Sequence, residues 1–236
     1  MNVLNVQNVL KKGSIIGKDT CDDKRYKKDL TDLIRSSKVE SEYCAVHEIV
    51  FRDVIDEKGK KRKDKKEFLF SLVGQKDTLY EDSIMTFIVS VKGKQYPWEG
   101  PDVKVVSLFF HPNIRGQDIC LDILKGEWKP SMSFSSLAQS LVSFLIVPNE
   151  KDPLNGIVNQ IYIKKHDKYE KYAKYIAKKY MNKECYEIIK KDYINGTNEY
   201  EKLLPFSPLY ENVNGEELTN YNILIKIMDK IINKSP

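Results

Sequence analysis

The chain has 236 residues, 41% hydrophobic and 31% charged, with 39 basic against 34 acidic side chains and a formal net charge of +5. That length suits one domain with extensions or two small ones, and the composition excludes a wholly disordered, collagen-like or coiled-coil chain. The strongest apolar run, Leu141 to Val147, is far shorter than the ~18 residues that cross a membrane, so no spanning helix is expected.

Residues 1–21 alternate small apolar residues with asparagine and then reach Lys11-Lys12-Gly13; they read as a flexible tail able to dock by its apolar side. No basic stretch precedes the first apolar residues, so the start does not resemble a signal peptide. Lys24 to Arg35 places Tyr26, Leu30, Leu33 and Ile34 at helical spacing opposite a basic face, the mark of an amphipathic surface helix. Four strand-like stretches follow: Cys44 to Ile55, Glu67 to Val73, Met85 to Val91 and Val103 to Phe110. They are rich in β-branched and aromatic residues, and Gly59, Gly74 and Gly93 lie in the connections, which suits an antiparallel meander. No long helical segment separates them, which disfavours a doubly wound parallel sheet.

An irregular stretch begins at Pro112 and ends at Ser133, a natural cap for a buried helix with Phe134, Leu137, Leu141 and Leu145 inward. Asp152-Pro153 is placed to open a second helix, and Asp167 to Met181 forms a third. Beyond Lys183 the chain turns Asn-, Tyr- and Lys-rich, is broken by Pro205 and Pro208, and offers one more helix over Glu217 to Ile232. The fold class is therefore α+β: an N-terminal helix, a four-stranded antiparallel meander, an irregular segment, then C-terminal helices, with 183–236 as a partly helical extension.

The charge has one address. Lys58 to Lys66 holds seven basic residues and one acid, and without it the rest of the chain nets −1. A localised block of this kind, with no aromatic residue on which bases could stack, reads as an exposed insert over 56–66 rather than a nucleic-acid surface. Cys21, Cys44, Cys120 and Cys185 form no Cys-x-x-Cys pair and are too few for a disulfide scaffold, so a reducing compartment is expected, the cytoplasm and with it the nucleus. Three histidines, His47, His111 and His166, give no metal-ligand spacing.

The irregular segment concentrates the chemistry. His111, Asn113 and Cys120 fall within ten residues, and long irregular stretches in compact domains are often functional. A cysteine nucleophile needs thiolate character and access, and an acyl-transfer oxyanion needs a donor such as an asparagine amide. The plain alternatives are a small buried hydrophobe for Cys120 and a turn-stabilising imidazole for His111. A Cys/His protease would need a group to orient His111, and none is evident.

His111-Pro112-Asn113 followed by Ile119-Cys120-Leu121-Asp122 resembles the signature of the ubiquitin-conjugating enzyme family. Tyr96-Pro97, Trp128-Lys129-Pro130, Pro148-Asn149 and Asp152-Pro153-Leu154 agree in order, and the similarity spans roughly residues 22–182, the length of that catalytic domain. Departures are a stretch from Asn113 to Cys120 one residue shorter than the common pattern, Gly74-Gln75 for Gly-Pro, and Gly100-Pro101 for Pro-Pro.

The resemblance implies a thioester-forming Cys120. Asn113 would stabilise an oxyanion or order the active-site loop, Asp152 would orient the incoming lysine, Leu154 would line that gate, and His111 would be structural. It also implies ligase contacts at Trp98 and Pro130 and an activating-enzyme and ligase surface at Lys24, Arg25 and Lys28. Implied partners are ubiquitin or a ubiquitin-like modifier, an activating enzyme, a ubiquitin ligase and substrate lysines, without nucleic acid or membrane. No cofactor is implied, since the activating enzyme uses the ATP. Asp122 after Cys120-Leu121 favours ubiquitin. Trp128-Lys129-Pro130, Asp152-Pro153-Leu154-Asn155 and the apolar tail before paired lysines are similar to the branch serving a Nedd-class modifier, and a catalytically dead variant would be a binding module.

Overall fold

The computed structural model describes residues 14–16, 24–36, 45–52, 58, 65–92, 95–120, 126–203 and 221–234. The basic insert, apart from Lys58, Lys65 and Lys66, and both Cys21 and Cys44 lie outside them. Strand β1 (Ser14–Ile16) pairs parallel with β2 (Ala45–Phe51), Ser14 beside Glu48 and Ile16 beside Val50. Part of the stretch expected to be a flexible tail thus extends the sheet edge. Main-chain pairing of this kind leaves little trace in side-chain pattern. Tyr26, Leu30 and Leu33, spaced along α1 (Lys24–Ser36), turn inward as expected.

Strands β2, β3 (Lys65–Val73), β4 (Ile84–Lys92) and β5 (Asp102–Val105) form the antiparallel meander, giving the order β1-β2-β3-β4-β5. β5 stops at Val105 rather than Phe110, because the N–H groups of Val106 and Ser107 both turn to the Thr86 carbonyl and the chain leaves the ladder. Gly74, just beyond β3, admits no side chain: a Cβ there would stand 1.6 Å from the Tyr80 carbonyl oxygen. The segment read as irregular contains a two-residue hairpin, β6 (Ile114–Arg115) and β7 (Asp118–Ile119), turned by Gly116 at φ +59°. Gln117 ties it to the sheet by accepting the Val105 N–H at 2.8 Å.

Helix α2 (Phe134–Ile146) is capped by Ser133, whose hydroxyl accepts the Ser136 N–H while Ser136 reaches back, a reciprocal capping box. α3 (Gly156–Lys164) begins later than Asp152-Pro153 suggested: Asn155 is the cap, its side chain accepting the Val158 N–H at 3.2 Å. Asp152 therefore caps no helix and is left for the site. α4 (His166–Tyr180), α5 (Lys183–Asn195), α6 (Glu199–Leu203) and α7 (Tyr221–Lys234) complete the described chain.

The sheet is covered on both faces. On one, Phe68, Phe70, Phe87 and Val89 meet α1, α2, α3 and α4 through Tyr26, Phe134, Leu137, Leu141, Ile161 and Ile176. On the other, Val50, Leu69 and Ile84 are buried against Cys185, Tyr186, Ile189 and Tyr193 of α5 and Tyr200 of α6. This explains why β4 reads as an almost unbroken apolar run without the alternation of a half-wet sheet. The second face is also polar: Glu48 is buried, accepts the Tyr186 hydroxyl and pairs with Lys190 at 3.0 Å. Burial alone would lower the Lys190 ammonium, but its hydrogen bond and charge interaction with Glu48 raise it.

Residues 183–203 are thus part of the folded body rather than an appendage. Ile189→Ala, at a site 2% exposed, is expected to lower the stability of the main unfolding transition by about 2–4 kcal/mol. Urea denaturation followed by a core-fluorescence signal checks this. An unmoved main transition would mean that α5 unfolds on its own.

Candidate active site

Two stretches far apart in sequence meet beside the hairpin β6–β7. The first is His111 to Cys120, and the second is the loop 148–155 that enters α3. Asn113, wholly buried, joins them. Its Nδ2 donates to the carbonyls of Asn149 (2.8 Å) and Asp152 (3.0 Å), and its Oδ1 accepts the Asn149 N–H (2.9 Å). Pro112 adds a backbone tie, its carbonyl accepting the Asn155 N–H at 2.7 Å, and the Cys120 N–H returns to the Asn113 carbonyl at 3.0 Å.

Cys120 ends β7's excursion with its thiol against the other loop. Sγ lies 3.4 Å from Asp152 Oδ2 and 3.6 Å from the Asp152 carbonyl oxygen. Only 5% of the residue is exposed, whereas Asp152 itself is exposed. A carboxylate that reaches solvent and a thiol that is nearly covered thus share one contact, where an incoming group would meet both. Leu154, two residues on, is half-buried.

His111 belongs to the framework. Its Nδ1 accepts the Asn113 N–H at 3.1 Å, and its ring lies 5.0 Å from that of Phe144. Burial pushes the imidazole down to about 3, although the Phe144 backbone nearby favours the charged ring. It is neutral at ordinary pH and turned to the backbone, which removes the Cys/His protease reading. Both N–H hydrogens of the Asn113 amide are likewise engaged, which favours loop ordering over oxyanion donation among its two expected roles.

The residues expected to face partners divide. Trp98 is 76% exposed and Pro130 half-buried. Their loops are joined by Trp128, whose Nε1–H donates to the Pro97 carbonyl at 2.7 Å, and Gly100 lies under its ring so closely that a Cβ would come within 2.8 Å of Cγ. Lys24 and Lys28 are exposed on α1. Arg25 is committed inward: it pairs with Asp29 at 2.7 Å and donates to the Met132 carbonyl at 2.9 Å, which makes it a brace between α1 and the approach to α2. Asp29 also accepts the Tyr96 hydroxyl at 2.6 Å.

The sequence reading has Asn149 only as a flank of the family signature and Asn155 only in the likeness to the Nedd-class branch, and Asn159 has no part in it. Their recurrence around Asp152 is the one signal that would have pointed to an amide-held loop. Among the described residues no group of three or more His, Cys, Asp or Glu is placed to hold a metal ion.

The site is thus a cysteine held under a clamped loop at the edge of an α+β body whose sheet is covered. The family model for ubiquitin-conjugating enzyme matches residues 39–177, and the chain belongs to that family. It is similar to the ubiquitin-conjugating enzyme E2 1 of Caenorhabditis elegans, 35% identical over 108 residues, which are 45% of this chain and 55% of that protein. The match thus spans about half the length of the curated relative. Among solved structures it is similar to a ubiquitin conjugating enzyme E2 domain of Toxoplasma gondii, with TM-score 0.53, 25% identity, and coverage of 67% of this chain and 98% of that one. A structure described as a putative ubiquitin conjugating enzyme from Plasmodium yoelii shares the fold at TM-score 0.53 and 24% identity, covering 68% and 97%.

The state of His111 has a pH signature. An unfolded histidine titrates near 6.5, the folded one near 3, so between those values the unfolded chain binds more protons. Stability present above about pH 6.5 is therefore lost as pH falls toward 3, by up to ~1.4 kcal/mol per unit. His111→Gln is expected to be less stable at neutral pH and to flatten the pH dependence of the urea midpoint between about pH 6.5 and 4.5. An unchanged slope would place the imidazole in contact with solvent.

Proposed function

We propose that the protein is a working conjugating enzyme that carries a modifier as a thioester on Cys120 and passes it to a lysine amine, usually with a ligase. The observation that carries this reading is the contact of the Cys120 thiol with Asp152 on a loop that Asn113 locks in place. In the first step the Cys120 thiolate attacks the modifier's C-terminal thioester on the activating enzyme. A new C–S bond forms, the old one breaks, and the activating enzyme's cysteine leaves as thiolate. One thioester replaces another, so no strong base is required beside the thiol. This agrees with a His111 that faces the backbone.

In the second step a lysine amine attacks the carbonyl, the C–N bond forms, and Cys120 leaves as thiolate. The exposed Asp152 carboxylate accepts a hydrogen bond from the amine and relays the proton it loses to water. Exclusion of water as the lysine docks favours its neutral form. The activating enzyme and ligases are proposed to meet the exposed Lys24 and Lys28 and the Trp98 and Pro130 loops. A large exposed tryptophan is a natural interface anchor.

Ubiquitin is the proposed modifier, with a Nedd-class modifier as the alternative. Incubation with each activating enzyme, ATP and its modifier should give an adduct that thiols remove and that is absent in Cys120→Ala. No adduct with any modifier would leave a binding module. Asp152→Ala is expected to charge normally and discharge to free lysine at least about tenfold more slowly, the loss of a positioned proton acceptor for the amine. Equal discharge rates would remove Asp152 from the second step.

A further inference from the structure

The loop that presents Asp152 is held by more than Asn113. Asn159, on the buried side of α3, donates its Nδ2 hydrogen to the Glu150 carbonyl at 3.0 Å. Glu150 stands two residues before Asp152 and one after Asn149, so this bond falls between the two that Asn113 makes. Asn155 completes the set, with its N–H on Pro112 and its side chain capping α3.

Asn159 is a costly choice for its position. It is 8% exposed inside a helix, asparagine is a poor helix former, and its Oδ1 is buried without a hydrogen-bond partner. A small apolar residue would pack there without burying an unpaired acceptor. The bond to Glu150 is what the amide provides, and that bond acts on the turn carrying the carboxylate beside Cys120.

We infer that Asn159 is a positioning residue for the second step: by fixing the Glu150 carbonyl it holds the 149–152 turn so that Asp152 stands against Cys120 when the lysine arrives. It touches neither the thioester nor the amine and acts through Asp152. The inference rests on the function proposed above. It assigns to α3 a part in lysine transfer that charging does not need, because only the second step uses Asp152.

The experiment uses the full chain, charged at Cys120 and then mixed with free lysine across a pH range. Asn159→Ala and Asn159→Asp, which keeps the shape and loses the donor, are compared with Asp152→Ala and with the double variant Asn159→Ala/Asp152→Ala. Both Asn159 variants are expected to charge as the wild type does and to discharge about tenfold more slowly, as a misplaced group causes, and no more slowly than Asp152→Ala. Their pH–rate profiles should move toward that of Asp152→Ala, and the double variant should be no slower than Asp152→Ala alone. Discharge to hydroxylamine, a nucleophile neutral without help, should be unchanged. A merely structural role lowers the melting temperature and leaves the pH profile in place. If Asn159→Ala does not fold, Asn159→Ser carries the same comparison. Wild-type lysine discharge in a variant that charges, or losses that add in the double variant, would overturn the inference. Failure of the wild type to charge would instead defeat the proposed function.

Discussion

The geometry of the site depends on one buried amide. Asn113 makes three hydrogen bonds to a loop 36 and 39 residues away, and each satisfies a main-chain group of that loop from within the protein. The two stretches it joins lack the regular ladder that secondary structure would supply, so the amide does for them what pairing does for strands. Replacing it would leave the partners on the 148–155 loop without their bonds, a loss beyond that of one average hydrogen bond. His111 supports the same point from behind: its neutral ring accepts the Asn113 N–H and fixes the backbone from which the amide projects. A charged imidazole would lose that acceptor, so the burial that holds His111 neutral also holds Asn113 in register.

A second constraint comes from the sheet. Its outer face carries Glu48, Ser71 and Thr86, all buried, beside Val50, Leu69 and Ile84. Such a face is neither apolar enough to be covered by any hydrophobic helix nor free to stay wet. α5 meets both demands with Tyr186 and Lys190 toward Glu48 and Ile189 toward the apolar residues. Arg52 extends the match, pairing with Glu67, donating to the Tyr193 carbonyl at 2.8 Å and lying 4.3 Å from the Tyr193 ring centroid. A buried carboxylate whose cation is removed is costly, so the polar contacts specify this helix in this register rather than simply adding stability. Tyr200 of α6 reaches further, accepting the Leu108 N–H and donating to the Tyr180 carbonyl. That bond anchors the chain just as it leaves the sheet toward His111.

Much of this was legible in the sequence where periodicity or a cap expresses it. Tyr26, Leu30 and Leu33 announce α1, Ser133 announces α2, and the turn glycines separate the strands of the meander. The residues of the site were legible only through the ordered resemblance, because Cys120 between two apolar neighbours has by itself the pattern of a buried hydrophobe. What escaped has a common cause. The pairing of β1 and the hairpin β6–β7 rest on main-chain bonds; the second sheet face rests on contacts between residues over 100 positions apart, such as Glu48 with Lys190. Helix α3 was placed too early because Asp-Pro and Asn are both good helix starts, and the choice between Asp152 and Asn155 was made by the tertiary bond from the Asn155 N–H to Pro112. That bond delays the helix and leaves the Asp152 carboxylate for the thiol.

The same logic separates the exposed residues around α1 from their buried support. Tyr96 stacks on Phe134 at 5.1 Å, contacts Trp128 at 5.9 Å and donates to Asp29, while Arg25 closes on Asp29 from α1. One aromatic ring therefore fixes α1, the loop bearing Trp98 and the approach to α2 relative to one another. Arg25 serves this assembly through two of its donors, Nε to the Asp29 carboxylate and Nη2 to the Met132 carbonyl. Lys24 and Lys28 keep their ammonium groups outward on the same helix, and Trp98 keeps most of its indole in solvent on the loop next to it. The exposed cations and the exposed aromatic are thus carried on elements that the buried ring holds rigid. A surface built in this way would not have to order itself on meeting a partner, which would lessen the entropy that association removes.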